Sequence, residues 1–105
     1  MKILETSIPD VLIIETNEYT DDRGAFTESF NLRKFRDATG VTLDFVQDNQ
    51  SRSTKGVLRG LHMQRGSSAQ AKLVRVLEGA VLDIAVDLRK GSPSFGQHYA
   101  IELTA

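Results

Sequence analysis

The chain has 105 residues, 13 basic and 14 acidic side chains and a net charge of −1, so bulk charge draws it neither to nucleic acid nor to an anionic membrane surface. It has no cysteine and two histidines, His62 and His98, which excludes disulfides, a thiolate metal site and a His-rich metal cluster within one chain. A hydrophobic fraction of 40% supports one modest domain over residues 1–105; with no apolar run of membrane-spanning length and no signal-peptide pattern in Met1-Lys2-Ile3-Leu4-Glu5, a cytoplasmic protein is expected.

In chain order, Val11 to Glu15 reads as a short apolar strand and Tyr19 to Gly24 as a polar turn, on the turn chemistry of Asp21-Asp22-Arg23-Gly24. Ala25 to Phe30 alternates and reads as a strand. Asn31 is a good N-cap for a helix over Leu32 to Thr39, with Leu32, Phe35 and Arg36 on one side and Gly40 closing it. Phe45 to Gln50 reads as a strand, Ser51 to Lys55 as a loop, Gly56 to Gln64 as a strand and Arg65 to Ser68 as a flexible loop. The spacing predicts a hairpin over Lys72 to Asp87 centred on Glu78-Gly79, with Val76 facing Val81 and Val74 facing Asp83. Gly91 to Gly96 is a turn, and Gln97 to Thr104 a last strand with Tyr99, Ile101 and Leu103 on one side. Many short strands with glycine-containing turns point to an all-β sandwich or barrel with one short helix.

The chemistry-bearing feature is Gly56-Val57-Leu58-Arg59-Gly60-Leu61-His62-Met63-Gln64. An apolar strand has no folding reason to carry both an arginine and a histidine, which are costly to bury unless paired or used. A histidine near neutrality can take a proton from a weak carbon acid. Lys72 heads a second apolar stretch. The bland readings are a hydrogen-bonded structural histidine, a solvated turn arginine and a solvent-facing lysine. In a regular strand residues 59 and 62 face opposite sides, and a bend at Gly60 brings them onto one. Gln47 and Asn49 share a face, so one pocket can collect Gln47, Asn49, Arg59, His62 and Lys72. Such a pocket suits an anionic substrate with an enolisable carbonyl. Asp83 is either a charge partner for Lys72 or a secondary site carboxylate.

Seven blocks then occur in order: Asp22-Arg23-Gly24, Phe26 to Asn31, Phe45 to Asn49, Gly56 to His62, Lys72 to Val76, Asp83 to Arg89 and Gly91 to Gly96. The chain closely resembles the dTDP-4-dehydrorhamnose 3,5-epimerases, metal-independent cupin enzymes, over nearly its whole length. The resemblance implies a cupin-type (jelly-roll) antiparallel barrel or sandwich, here incomplete, with no cofactor and no metal. It implies that His62 is the general base at C3 and C5 of a dTDP-4-dehydro-6-deoxy sugar, and that Lys72 stabilises the enolate. It also implies substrate contacts from Arg59, Gln47 and Asn49, nucleotide-side contacts from Arg23 and Glu28, and packing of Phe26 on thymine. The expected partners are a dTDP-sugar and a second copy of the chain in a homodimer or higher homo-oligomer, with no nucleic acid and no membrane.

Two departures accompany the resemblance: Met63 stands where an aromatic residue often follows the histidine, and the Arg65 to Ser68 loop lacks the common proline. The family's tyrosine acid and the aspartate that pairs with the histidine are expected beyond Ala105, since neither Tyr19 nor Tyr99 matches that tyrosine's motif. Full turnover is therefore not expected of these 105 residues alone. The alternatives are a non-catalytic nucleotide-sugar-binding module and a half-barrel interaction domain.

Overall fold

Branched apolar residues flank the segment Thr6-Ser7-Ile8-Pro9-Asp10, where the chain folds back on itself. The computed structural model, which describes residues 1–105, pairs β1 (Lys2–Glu5) with β2 (Leu12–Glu15) antiparallel, Ile3 opposite Ile14. The Thr6 hydroxyl organises the turn. It donates to the Val11 carbonyl at 2.8 Å and accepts the Ile8 N–H at 3.2 Å, the local bonding that makes threonine a turn former. Ile8 is thereby turned inward and is fully buried. The strand expected from Val11 is present, but its partner at residues 2–5 carried no sequence signal of its own.

The second hairpin corrects an expectation. Tyr19 to Gly24 is not a turn throughout. β3 (Glu18–Asp21) and β4 (Gly24–Thr27) pair antiparallel, leaving only Asp22-Arg23 between them. Tyrosine and threonine favour a strand, and this preference outweighs the turn chemistry at Tyr19 and Thr20. Gly24 has φ 129°, a conformation that a side chain would strain, which is what lets so short a loop close. β4 ends at Thr27 rather than Phe30.

Helix α1 (Leu32–Thr39) has the bounds its capping residues predict. The Asn31 side chain accepts from the Lys34 N–H at 3.1 Å, and Gly40 at φ 69° donates its N–H to the Arg36 carbonyl at 2.9 Å. Phe35 is buried and stacks at a tilt on Phe30, ring centres 5.8 Å apart, and the helix lies against β1. Leu32, expected on the same side as Phe35, is 37% exposed.

The hairpin expected over Lys72 to Asp87 does not form. β5 (Ala80–Val86) pairs instead with β6 (His98–Thr104), Val81 opposite Leu103 and Asp83 opposite Ile101. The turn at Gly91–Gly96 folds the chain forward, with Gly96 donating to the Asp87 carbonyl at 2.7 Å and Asp87 to that of Gln97 at 2.9 Å. The expected alternation in the last strand is present: Tyr99, Ile101 and Leu103 are half-buried and their neighbours exposed.

Between Val41 and Gly79 no residue is in a strand, so Phe45 to Gln50, Gly56 to Gln64 and Lys72 to Val76 are corrected. Residues 66–68 form a single 3₁₀ turn where a flexible loop was expected. The cause is the lack of a ladder. A strand exists only where another backbone takes its N–H and C=O groups, and the backbone bonds over 43–74 are confined to short turns such as Val57 to Thr54 at 3.3 Å.

The chain divides into two compact units, Met1–Thr42 with Arg75–Ala105, and Leu43–Val74. The first holds all three two-stranded sheets and α1. Ile8 and Phe35 are the buried hydrophobic residues, and the accessible surface is 9113 Å², against about 5,800 Å² for a compact monomer of this mass. No helix is long and apolar enough to cross a membrane.

Candidate functional site

In the first unit, hairpin β3–β4 presents Tyr19 directly opposite Phe26, with 62% and 68% of their surface exposed. They share a cleft of ≈ 120 Å³ with Met1, Asn17, Glu28 and Lys34. The Glu28 carboxylate is fixed from the helix side: Lys34 Nζ donates to Oε1 at 2.7 Å and Asn31 Nδ2 to Oε2 at 3.2 Å. The Lys34 ammonium, and after it the Asn31 amide, hold the Glu28 carboxyl below its ordinary range, and Glu28 raises Lys34 in return. Thus Phe26 and Glu28 meet in one cleft.

Arg23 sits at the tip of the same hairpin, its backbone N–H and Nε both on Asp21, at 2.9 Å to Oδ1 and 3.0 Å to Oδ2. The guanidinium lowers the Asp21 carboxyl, which raises Arg23. Both groups are well exposed, so a ligand anion competes with a solvated pair that contributes little to stability. Asp83 is exposed on β5 opposite Ile101. The hairpin register that placed it near Lys72 is absent.

In the second unit, Gln47 Nε2 donates to Asn49 Oδ1 at 3.1 Å. Arg59 turns to its own loop, Nε donating to Ser53 Oγ at 2.9 Å and Nη2 to the Arg52 carbonyl at 3.5 Å. No hydrogen bond or ion pair joins Arg59, His62 and Lys72 to one another or to Gln47 and Asn49; all five are exposed. The glycine expected to bend the chain is bent: Gly60 has φ 106°, and a Cβ there would stand 3.2 Å from His62 Nδ1. The face-sharing argument for Arg59 and His62 does not carry over, because residues 56–64 are not a strand.

A polar cluster that drew no functional reading from the sequence surrounds Asp87, whose side chain is wholly buried. Its Oδ1 accepts from the Arg89 backbone N–H and Nε, both at 3.0 Å. Its Oδ2 accepts from Arg89 Nη2 at 2.9 Å and from the Ser92 and Ser94 hydroxyls, both at 2.6 Å. Arg89, and then the two serines, hold this carboxyl well below the usual carboxylate range. Arg89 also reaches the Pro9 carbonyl at 2.8 Å and the Asp10 carboxylate, so the cluster ties the β1–β2 turn to the β5–β6 turn. The signal lay in Asp87-Leu88-Arg89 followed by Ser92 and Ser94, a carboxylate with donors two, five and seven residues on. No group of three or more His, Cys, Asp or Glu side chains comes together to hold a metal ion.

The family described as dTDP-4-dehydrorhamnose 3,5-epimerase matches residues 5–105. The chain belongs to this family. It is 54% identical over all 105 residues to the dTDP-4-dehydrorhamnose 3,5-epimerase of Shigella flexneri, of which it covers 58%. A crystal structure of dTDP-4-dehydrorhamnose 3,5-epimerase from Elizabethkingia anophelis matches 99% of the chain with TM-score 0.92 at 53% identity, and 57% of that chain is covered. A dTDP-6-deoxy-D-glucose-3,5-epimerase from Legionella pneumophila, solved in complex with dTDP-4-keto-L-rhamnose, matches 98% with TM-score 0.92 at 51% identity, 54% of it covered. The chain spans little more than half the length of the curated relatives it matches. The mostly antiparallel architecture with one short helix is thus the cupin-type fold of the matching part of these solved structures.

Proposed function

We propose that this chain serves the 3,5-epimerisation of dTDP-4-dehydro-6-deoxy-D-glucose to dTDP-4-dehydro-L-rhamnose in dTDP-rhamnose synthesis. The observation that carries the reading is the 54% identity over every residue of the chain with a relative of that name. The C4 ketone acidifies the C–H bonds at C3 and C5. His62 takes the C3 proton, and the C–H electron pair forms the C3–C4 double bond of an enolate. Lys72 holds its ammonium at the enolate oxygen, where charge develops. Return of a proton to the opposite face of C3 inverts that centre, and the same two steps at C5 complete the reaction. Arg59 binds the diphosphate, Gln47 and Asn49 make polar contacts, and Phe26, Arg23 and Glu28 take the nucleotide side. No step is assigned to Tyr19 or Tyr99. What supports the roles of His62 and Lys72 is their place in the matching blocks and their exposure to an incoming ligand. The reading is tested by incubating the 105-residue chain with substrate in D₂O. Deuterium at C3 and C5 is expected, since exchange needs only the base. dTDP-sugar binding without any exchange would favour the non-catalytic binding module.

The cations of the second unit separate by role. Arg59→Ala is expected to weaken dTDP binding roughly tenfold or more, the worth of a charge-assisted hydrogen bond to phosphate. Lys72→Ala should lower the exchange rate and leave dTDP affinity nearly unchanged. Titration of both variants with dTDP checks this, and a larger affinity loss for Lys72→Ala would reverse the roles.

The working form is a cytoplasmic homodimer or larger homo-oligomer. The supporting observation is exposed apolar surface such as Val46, Leu58 and Leu82, 91%, 89% and 67% exposed, beyond what a monomer keeps in water. Sedimentation is expected to give the mass of two or more chains, and fractionation to place them in the cytosol; a stable monomer would refute the assembly.

A further inference from the structure

Charge is divided unevenly between the two units. Residues 43–74 carry five basic side chains, Arg52, Lys55, Arg59, Arg65 and Lys72, against the acidic Asp44 and Asp48, a net charge of +3 with His62 neutral. The first unit carries eight basic and twelve acidic side chains, a net charge of −4. Pairing follows the same division. In the first unit Lys2, Arg23, Arg33, Lys34 and Arg89 each have a carboxylate within ion-pair reach. None of the five cations of the second unit has one, and all five are exposed. Three of these cations share one loop. Arg59 Nε donates to Ser53 Oγ at 2.9 Å and Nη2 to the Arg52 carbonyl at 3.5 Å, while the Val57 N–H donates to the Thr54 carbonyl at 3.3 Å. The loop thus folds back on Arg59 with Arg52 and Lys55 in it. The acceptors that hold Arg59 are neutral, so its charge is not cancelled.

We propose that Arg52, Lys55 and Arg65, which have no part in the chemistry above, are capture residues: their unpaired charge draws a diphosphate-bearing ligand to the second unit before any contact is made. The inference rests on the nucleotide-sugar reading and deepens it. Taken whole, the chain has a net charge of −1 and offers an anion no attraction. At physiological salt, however, an ion responds only to charges within roughly 8–10 Å, so the local excess of cations outweighs the distant carboxylates. A surface of paired, mixed charges makes no such field. Charges at the rim of a site act on the encounter, whereas dissociation is set by the groups in contact. The three cations should therefore raise kon and leave koff to residues such as Arg59.

The experiment measures kon and koff for dTDP bearing a fluorescent methylanthraniloyl group, by stopped flow on the 105-residue chain. Salt is varied from about 0.02 to about 0.5 M, which shortens the Debye length from roughly 20 Å to about 4 Å. Two triple variants are compared with wild type. Arg52→Gln with Lys55→Gln and Arg65→Gln leaves the second unit without net charge; Arg52→Lys with Lys55→Arg and Arg65→Lys keeps the charge and alters the hydrogen-bonding groups. Wild-type kon is expected to fall roughly tenfold across the salt range, within the span that steering commands. At low salt the glutamine variant should associate about fivefold or more slowly than wild type, with a nearly flat salt dependence and koff changed by less than about twofold. The two should converge at high salt, and the charge-keeping variant should behave as wild type. Should the glutamine variant unfold, Lys55→Gln alone carries the same test with an effect of about twofold. An unmoved kon, a loss expressed in koff, or a charge-keeping variant as slow as the glutamine one would overturn the inference and leave the nucleotide-sugar reading standing. A wild-type chain that binds no labelled dTDP, and none of the unlabelled nucleotide in calorimetry, overturns both.

Discussion

His62→Ala is expected to lose solvent-deuterium incorporation at C3 and C5 of the dTDP-4-dehydro sugar by a factor of roughly 10²–10⁴, the usual contribution of a positioned acid–base group. The effect falls on exchange because exchange isolates proton removal, and no return from the opposite face is needed to observe it. The other histidine is the first residue of β6, in ladder with Val86, and lies outside the motif that carries His62. His98→Ala is the matched control and should exchange as wild type does. The expected defect is in rate, so dTDP affinity, which reports on Arg59 and the nucleotide side, should change little. Exchange that survives undiminished in His62→Ala would sink the assignment of the base and, with it, the enolate role of Lys72.

Features of this chain written by local chemistry were legible in its sequence. Helix α1 has the bounds predicted because Asn31 and Gly40 satisfy its end groups without help from distant residues. The alternation of Tyr99, Ile101 and Leu103 was legible because a half-buried strand imposes period two whatever it pairs with. The choice of partner was not. Glu78-Gly79 has the chemistry of a hairpin turn, yet β5 pairs forward with β6 because the turn at Gly91–Gly96 closes on both sides of Asp87. The sequence offered two competing turns and no means of weighing their tertiary support.

The same distinction holds at the candidate site. Gln47 and Asn49 meet as their spacing predicts, since the relation is local. The juxtaposition of Arg59 and His62 was argued from a strand, and residues 56–64 have no ladder to make them one. Phe26 and Glu28 were identified through resemblance, whereas the cleft that unites them depends on β3 pairing with β4 and on α1 presenting Lys34. Tyr19, read as a turn residue, lines that cleft because it is in a strand.

Asp87→Asn is expected to destabilise the first unit strongly and to remove part of its sensitivity to acid. The substitution keeps the shape of the side chain but removes the charge that Arg89 and the Ser92 and Ser94 hydroxyls converge on. Its amide N–H₂ must then face donors where an oxygen stood, leaving buried groups without acceptors. A fall in Tm on the order of 10 °C is expected for the loss of such a network in a small domain. The sign of the acid effect follows from the direction of the shift. The native Asp87 carboxyl lies far below its ordinary value of 3.8, so the unfolded chain binds the extra proton. Stability from this group is complete above the ordinary value and is lost as pH falls below about 4 towards the native value. Asp21 and Glu28 are shifted the same way, but both remain in the variant, so they cancel when the two proteins are compared. Urea melts at pH 7, 4, 3 and 2 are therefore expected to show the gap between wild type and Asp87→Asn narrowing steadily below pH 4. A gap of constant size down to pH 2 would mean that the charge of Asp87 contributes nothing to stability. The tie it makes between the β1–β2 and β5–β6 turns would then rest on packing alone.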